Sequence, residues 1–255
     1  MTVHRSLTQD EINAFKRDGF LVARSLFDGD AVRDISNWTD ALLSWPEEPG
    51  KHMVYYEDSL TEPGQRVVSR IENFCPHHDR FHNLVGEGVM IDMVSQLLGE
   101  PAVLFKEKIN FKMPGGAGFT PHQDAQAGWN DYAQFYITAL VCIDAATMEN
   151  GCLEMVRGFH DRGLVGDEWA PLDDNAMRDM VFEPCPTAPG DAVFFDSYAP
   201  HQSAPNLTDN PRRVLYVTYN KASEGDHRAA YYSDKRKSFP PDVERLPDQE
   251  YVFRV

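Results

Sequence analysis

The sequence predicts a mainly β fold with flanking helices: a sandwich or barrel of short strands braced by an N-terminal helical part. Three observations point there. Apolar residues recur at helical spacing before Gly99, the period switches to two from Val103 onward, and turn signals then separate short apolar runs. Helices first and strands afterwards, with no strand–helix alternation and no glycine-rich dinucleotide fingerprint, argue against a parallel sheet. A chain of 255 residues fits one such unit, so 1–255 reads as a single domain, helical over about 1–100 and a barrel over about 101–220.

The elements follow in order. Thr8 opens a helix as a capping box with Glu11, with Leu7 and Ile12 placed as a hydrophobic staple and Gly19 as the stop. Asp28 or Asp30 caps a second helix carrying Val32, Ile35, Trp38 and Leu42. Residues 45–64, rich in Pro and Glu, read as a long loop. A third helix carries Leu84, Met90, Val94 and Leu97 and ends at Gly99. From Val103, Phe105, Glu107, Ile109, Phe111 and Met113 alternate with Lys106, Lys108, Asn110 and Lys112, a strand with one unusually cationic face. Further strands are expected at 135–144, 151–156, 192–196 and 214–220. The turns between them are marked by Pro114-Gly115-Gly116, Glu149-Asn150-Gly151, Pro189-Gly190-Asp191 and Asp209-Asn210-Pro211. The last 35 residues look too polar for core and are expected to wrap the outside or cover a mouth.

Composition narrows the function. Against 40 Asp and Glu stand 24 Lys and Arg, a net charge of −16 that repels nucleic acid phosphates and anionic lipid, so neither nucleic acid nor membrane is an expected partner. No apolar run approaches a membrane span. The opening MTVHRSLTQDE lacks the apolar core of a secretory signal, which predicts a cytoplasmic location. Cys75, Cys142, Cys152 and Cys185 form no C-x-x-C and read as reduced, buried small residues. The expected partner is a small molecule; monomer and homo-oligomer both stay open.

The chemistry concentrates in His122-Gln123-Asp124. Separated by one residue on an extended chain, the imidazole and carboxylate lie on one side and can reach one ion. The pattern is common by chance, and His77-His78-Asp79 contains another. His122, however, follows a strand and a glycine-rich turn, and His201 lies just past another strand. Two His and one Asp form a facial triad with open positions, suited to non-haem Fe(II); the same ligands with water also suit zinc.

These pieces, together with Asn150-Gly151-Cys152-Leu153, Gly158-Phe159-His160, Pro189-Gly190-Asp191-Ala192-Val193-Phe194-Phe195, His201-Gln202-Ser203 and Arg212, resemble the phytanoyl-CoA dioxygenase family of Fe(II)/2-oxoglutarate oxygenases. The resemblance implies a double-stranded β-helix, the jelly-roll or cupin-like barrel. It implies Fe(II) held by His122, Asp124 and His201, with 2-oxoglutarate and O2 as cosubstrates of a hydroxylase. Arg212, favoured over Arg213 by its spacing from His201, would grip the distal carboxylate of 2-oxoglutarate with help from Ser203. Asn110 would contact the keto-acid end, and Lys106 or Lys108 would assist. Arg157 departs from the family, which commonly has Pro there.

The substrate side is read from mixed cations and aromatics, with Arg66, Arg70, Arg157, Tyr55, Tyr56, Trp129 and Lys106 as candidate lining groups. They favour a small charged substrate over a fatty acyl-CoA. The run Tyr231-Tyr232-Ser233-Asp234-Lys235-Arg236-Lys237 and the compact length resemble family members that hydroxylate 2-aminoethylphosphonate. Amino acids, betaines and ectoine-like compounds are the alternative substrates, and a non-oxidative cupin-like metalloenzyme is the alternative class.

Overall fold

Thr8 opens the first helix, α1 (Gln9–Asp18), through reciprocal bonds: its hydroxyl accepts from the Glu11 N–H at 3.2 Å, and Glu11 accepts from the Thr8 N–H at 2.9 Å. Gly19, at φ +82°, closes it by donating to Phe15 O. The computed structural model describes residues 5–252; residues 1–4 and 253–255 of the expected unit lie outside the described residues. Asp28, not Asp30, caps α2 (Gly29–Leu43) by accepting from the Ala31 N–H. The single helix expected before Gly99 is two, α3 (Asp79–Gly86) and α4 (Val89–Leu98). They are separated at Gly88, whose φ of +81° breaks the helical path.

Among the described residues eleven strands follow in chain order: β1 (Phe20–Ala23), β2 (Met53–Asp58), β3 (Arg66–Glu72), β4 (Ala102–Lys112), β5 (Phe119–His122), β6 (Tyr136–Cys142), β7 (Leu153–Met155), β8 (Glu183–Cys185), β9 (Ala192–Asp196), β10 (His201–Ser203) and β11 (Arg212–Lys221). They make two antiparallel sheets, one ordered β1-β9-β6-β11-β4-β3-β2 and the other β5-β10-β7-β8.

Neither sheet closes on itself, so the expected jelly-roll or cupin-like barrel is corrected to a mixed α/β fold with two open antiparallel sheets. The reason lies in what each face must bury. On one face of the large sheet, Ile109, Phe111, Leu215 and Val217 pack into a single core with Ile35 and Leu42 of α2, Phe81 and Val85 of α3, and Met90, Met93 and Val94 of α4. That face is committed to helices. On the other face Leu140, Val193, Phe195 and Val214 meet Leu153, Met155 and Cys185 of the small sheet. The small sheet's strands are only three or four residues long, too short to carry a ladder around a barrel.

Two further expectations are overturned. Within the proposed loop 45–64 lies β2, which pairs with β3; its alternation is masked by the flanking Pro46, Glu47, Glu48 and Pro49. The C-terminal part, expected to be too polar for core, contributes α5 (Arg228–Ser238), whose Tyr231 and Tyr232 are buried; that it wraps the outside or covers a mouth is not overturned. No described helix is long and apolar enough to cross a membrane.

A buried ion pair fixes α5. Glu107 is fully buried and accepts from Arg228 at 2.7 Å, from the Cys75 N–H at 2.9 Å and from the Tyr232 hydroxyl. Removing one partner strands a charge in a medium that cannot solvate it. Arg228→Met should therefore destabilise the protein by about 3–5 kcal/mol in urea unfolding, and adding Glu107→Leu should recover part of that loss. No recovery in the double variant would contradict this account.

Candidate metal centre and ligand pocket

The pairing of β5 with β10 places His201 opposite His122 across 79 positions of sequence, with ring centroids 4.3 Å apart. Asp124 follows at once, where the chain turns into a short 3-10 segment, Asp124–Ala127. Its Oδ1 stands 3.9 Å from Nε2 of each histidine, and one donor atom from each of the three residues lies within 4.8 Å of the others. Among the described residues this is the one group of three so arranged. His78 is used differently: it caps α3, its Nδ1 accepting from the Phe81 N–H.

The hydrogen bonds prepare the donors. His122 Nδ1 meets Thr120 O at 2.7 Å and His201 Nδ1 meets Ala199 O at 3.0 Å. A carbonyl only accepts, so both Nδ1 atoms carry the proton and both Nε2 lone pairs face the centre. Asp124 Oδ2 accepts from Thr138 Oγ1 at 3.1 Å, and Thr138 Oγ1 is itself 3.0 Å from Thr218 Oγ1. Oδ1 is left for the centre. Burial, then the neighbouring His201, pushes His122 down to about 3, and burial also lowers His201, so both stay neutral. Burial opposes ionisation of Asp124, but the neighbouring His201, Lys108, His122 and Lys106 outweigh it and hold its carboxyl below the usual range. Two neutral imidazoles and one carboxylate on one side of a centre fit a divalent iron with positions left open.

A narrow cavity of about 20 Å³ opens onto this group, lined further by Lys108, Asn110, Phe119, Leu153, Gln202, Ser203 and Tyr216. Arg212 begins β11, opposite Lys112 of β4, and is 1% exposed. Its Nε has no hydrogen-bond partner and its guanidinium no ion pair among the described residues. Arg213 faces the other way, bonded to Asp144 at 2.8 Å and to Asp40 at 2.6 Å. Period-two alternation thus buries one arginine without a counter-ion and ties the other down. A buried, unpaired guanidinium is costly unless an anion joins it.

Lys112 reinforces this end of the pocket. It donates to Ser203 Oγ at 2.8 Å, to Gly151 O and to Ala204 O, leaving the Ser203 hydroxyl proton free. Burial, then the charge of Arg212, pushes Lys112 down to about 6. Asn110 Oδ1 is buried and unpartnered. Lys108 lies over the rings of Tyr216 and Phe119, with no ion pair among the described residues.

The residues expected on the substrate side divide. Trp129 is buried, its ring 4.7 Å from Lys106 Nζ. Arg70 is buried over the Tyr55 ring and paired with Glu72, while the Tyr55 hydroxyl donates to Phe239 O. Arg66 pairs with Asp242 near the surface. Arg157 pairs with Asp18 and Glu183 over Phe20, away from the cavity. Sequence reasoning missed Thr138, Thr218, Tyr216 and the buried Glu72–Lys235 pair. The first three sit on the cavity side of their strands, and a period-two reading of the later strands would have found them.

A model of the phytanoyl-CoA dioxygenase (PhyH) family matches residues 15–214. The chain is 41% identical over 245 residues to a 2-aminoethylphosphonate dioxygenase from Uncultured bacterium HF130_AEPn_1, covering 96% of this chain and 93% of that one. It is 39% identical over 238 residues to a methylphosphonate hydroxylase from Gimesia maris, covering 93% and 90%. Its fold is similar to the crystal structure of EctD from S. alaskensis with 2-oxoglutarate and 5-hydroxyectoine, with a TM-score of 0.72, 22% identity, and coverage of 88% and 79%.

Gln123, between the two residues of the motif, joins three segments. It donates to Gly163 O and Tyr198 O at 2.7 Å each and accepts from the Val165 N–H at 2.8 Å. Gln123→Leu fills similar space but strands these groups. It should cost about 1–3 kcal/mol in urea unfolding and speed proteolysis within 163–172. Unchanged stability together with unchanged cleavage would refute the clamp.

Proposed function

Because the chain belongs to the phytanoyl-CoA dioxygenase family, we propose that His122, Asp124 and His201 hold its iron, that Arg212 and Ser203 bind the distal carboxylate of 2-oxoglutarate, and that its substrate is a small phosphonate such as 2-aminoethylphosphonate. The protein is an Fe(II)/2-oxoglutarate-dependent dioxygenase acting on a small polar molecule. This replaces the non-oxidative cupin-like alternative. The observation that carries the site assignment is the buried, unpaired Arg212 beside a pocket that opens onto three convergent donors.

Iron and 2-oxoglutarate, when bound, supply oxygen activation, with decarboxylation of the cosubstrate coupled to hydroxylation of the substrate. The chain's own residues prepare for this. Thr120 and Ala199 carbonyls hold the imidazoles in the tautomer that presents Nε2, and Thr138 holds the carboxylate. Arg212 offers a planar fork to a carboxylate, with the Ser203 proton beside Lys112 as a second donor. Asn110 and Lys108 line the wall between that end and the donors, positions that suit contact with the keto-acid end. Phe119 and Leu153 help keep water out.

The phosphonate assignment draws support from two relatives whose names share only that group, and from free cations on the inner face of β4. Of the residues read on the substrate side, Trp129 and Arg70 are buried near those cations, with Tyr55 beneath Arg70. Arg66 and Arg157, already neutralised by carboxylates, would act at most by shaping the surface. The span 1–255 is read as one domain, supported by α1 to α4 packing on the large sheet that carries β4 and β11. A cytoplasmic location is supported by four buried cysteines, none in a disulfide.

Two outcomes follow. Arg212→Lys keeps the charge but loses the fork, so the apparent KM for 2-oxoglutarate should rise roughly 10–100-fold with the primary substrate saturating. Arg213→Lys should leave it unchanged, and the reverse pattern would transfer the role to Arg213. For the substrate, succinate release with product identification should detect coupled turnover with 2-aminoethylphosphonate or methylphosphonate. Amino acids, betaines, ectoine and phytanoyl-CoA, run in parallel, should give none. Coupled turnover with one of these and with no phosphonate would overturn the substrate reading.

A further inference from the structure

Along the inner face of β4, Lys112, Asn110, Lys108 and Lys106 succeed one another at about 6.6 Å per two residues. The first three line or support the pocket already described. Lys106 lies one step further, beyond the group that meets 2-oxoglutarate. It is 6% exposed, yet its ammonium makes no hydrogen bond and no ion pair among the described residues. It sits instead between two ring faces, 4.7 Å from the centroid of Trp129 and 5.2 Å from that of Tyr231.

The nearby carboxylates are committed. Glu72 is fully buried and already bonded by Lys235, at 2.6 and 2.8 Å, and by Arg70 at 2.8 Å. Of the other acids that act on Lys106, Asp124 belongs to the metal centre and Glu107 is paired with Arg228. Arg70, Lys106, Lys108 and Lys235 therefore share Glu72 and part of Asp124, and positive charge is in excess. Trp129 Nε1, a buried donor, is also unpartnered among the described residues. Buried cations and donors left over beside a reaction centre call for an anion from outside.

We propose that Lys106, walled by Trp129 and by Tyr231 of the C-terminal helix, is the seat for the anionic head of the substrate. This rests on the phosphonate reading and deepens it. In methylphosphonate the only carbon is bonded to phosphorus, so its oxidation requires the charged head to lie one bond from the reacting carbon. A cation that acts on Asp124 yet stands apart from Arg212 meets that requirement. The wall also involves a part of the chain outside the family match, since Tyr231 follows residue 214.

The test compares Lys106→Met, Lys106→Arg and Lys108→Met with wild type, measuring substrate-dependent succinate formation and calorimetric binding of methylphosphonate and 2-oxoglutarate. Lys106→Met should raise the phosphonate KM and Kd roughly 10–100-fold, since a charge-assisted contact is lost, while 2-oxoglutarate binding stays within about threefold and reports an intact fold. Lys106→Arg should recover a large part. Wild-type turnover of phosphonates with an unchanged KM in Lys106→Met would overturn the seat and leave the substrate reading standing. Equal loss of phosphonate and 2-oxoglutarate binding in Lys106→Met would also overturn it, as would loss of phosphonate binding in Lys108→Met alone. No phosphonate binding by wild type would overturn the substrate reading, and the seat with it.

Discussion

The antiparallel register between β5 and β10 is the constraint on which the centre depends, because it alone brings His122 and His201 face to face. Side chains alternate every residue along a strand, so a slip by one position would turn a histidine away from its partner. The register is held from both sides. β7 pairs with β10 through His201–Met155, and beyond β5 the Ala125 N–H donates to Ser197 O, just before the turn into His201. Gln123 adds its bond to Tyr198 O. A small sheet of short strands can thus hold a demanding geometry because its loops are cross-linked by polar side chains.

The large sheet solves a different problem. β4 carries an apolar face toward the helices and a polar, largely cationic face toward the pocket, while its neighbours β6, β9 and β11 turn mainly apolar residues toward the small sheet. The hydrophobic core on one side offsets the cost of ordering charged groups on the other. Outside, the chain carries −16. Screening limits the reach of that charge to about 8 Å at physiological salt, so the interior cations govern an anion only once it has entered.

Local periodicity made part of this legible. The His-x-Asp pair, the histidine beyond a later strand and the cationic face of β4 are all properties of neighbouring residues. Whether Arg212 or Arg213 turns inward is also an alternation question, and Asp144 and Asp40 answer it by capturing Arg213. Sheet closure was not legible, because it depends on which distant strands pair and on how long they remain extended. Nor could the sequence reveal that Arg66 meets Asp242, or Arg157 meets Asp18, across more than a hundred residues. The strand β2 was hidden by the Pro and Glu residues beside it, and Tyr231 by the charged run that follows it.

The regular rise of β4 also acts as a ruler. Lys106 and Lys108 are both set by the ladder to β11, opposite Thr218 and Tyr216, and Lys108 is also held by β3 through Glu72. If the proposed seat at Lys106 holds the head of a substrate, the carbon oxidised would be counted from that head, whatever the length or charge of its tail. An enzyme built this way would be strict about regiochemistry and tolerant of homologues. Altering the tail would change how tightly a compound is held without changing which C–H bond meets the oxidant.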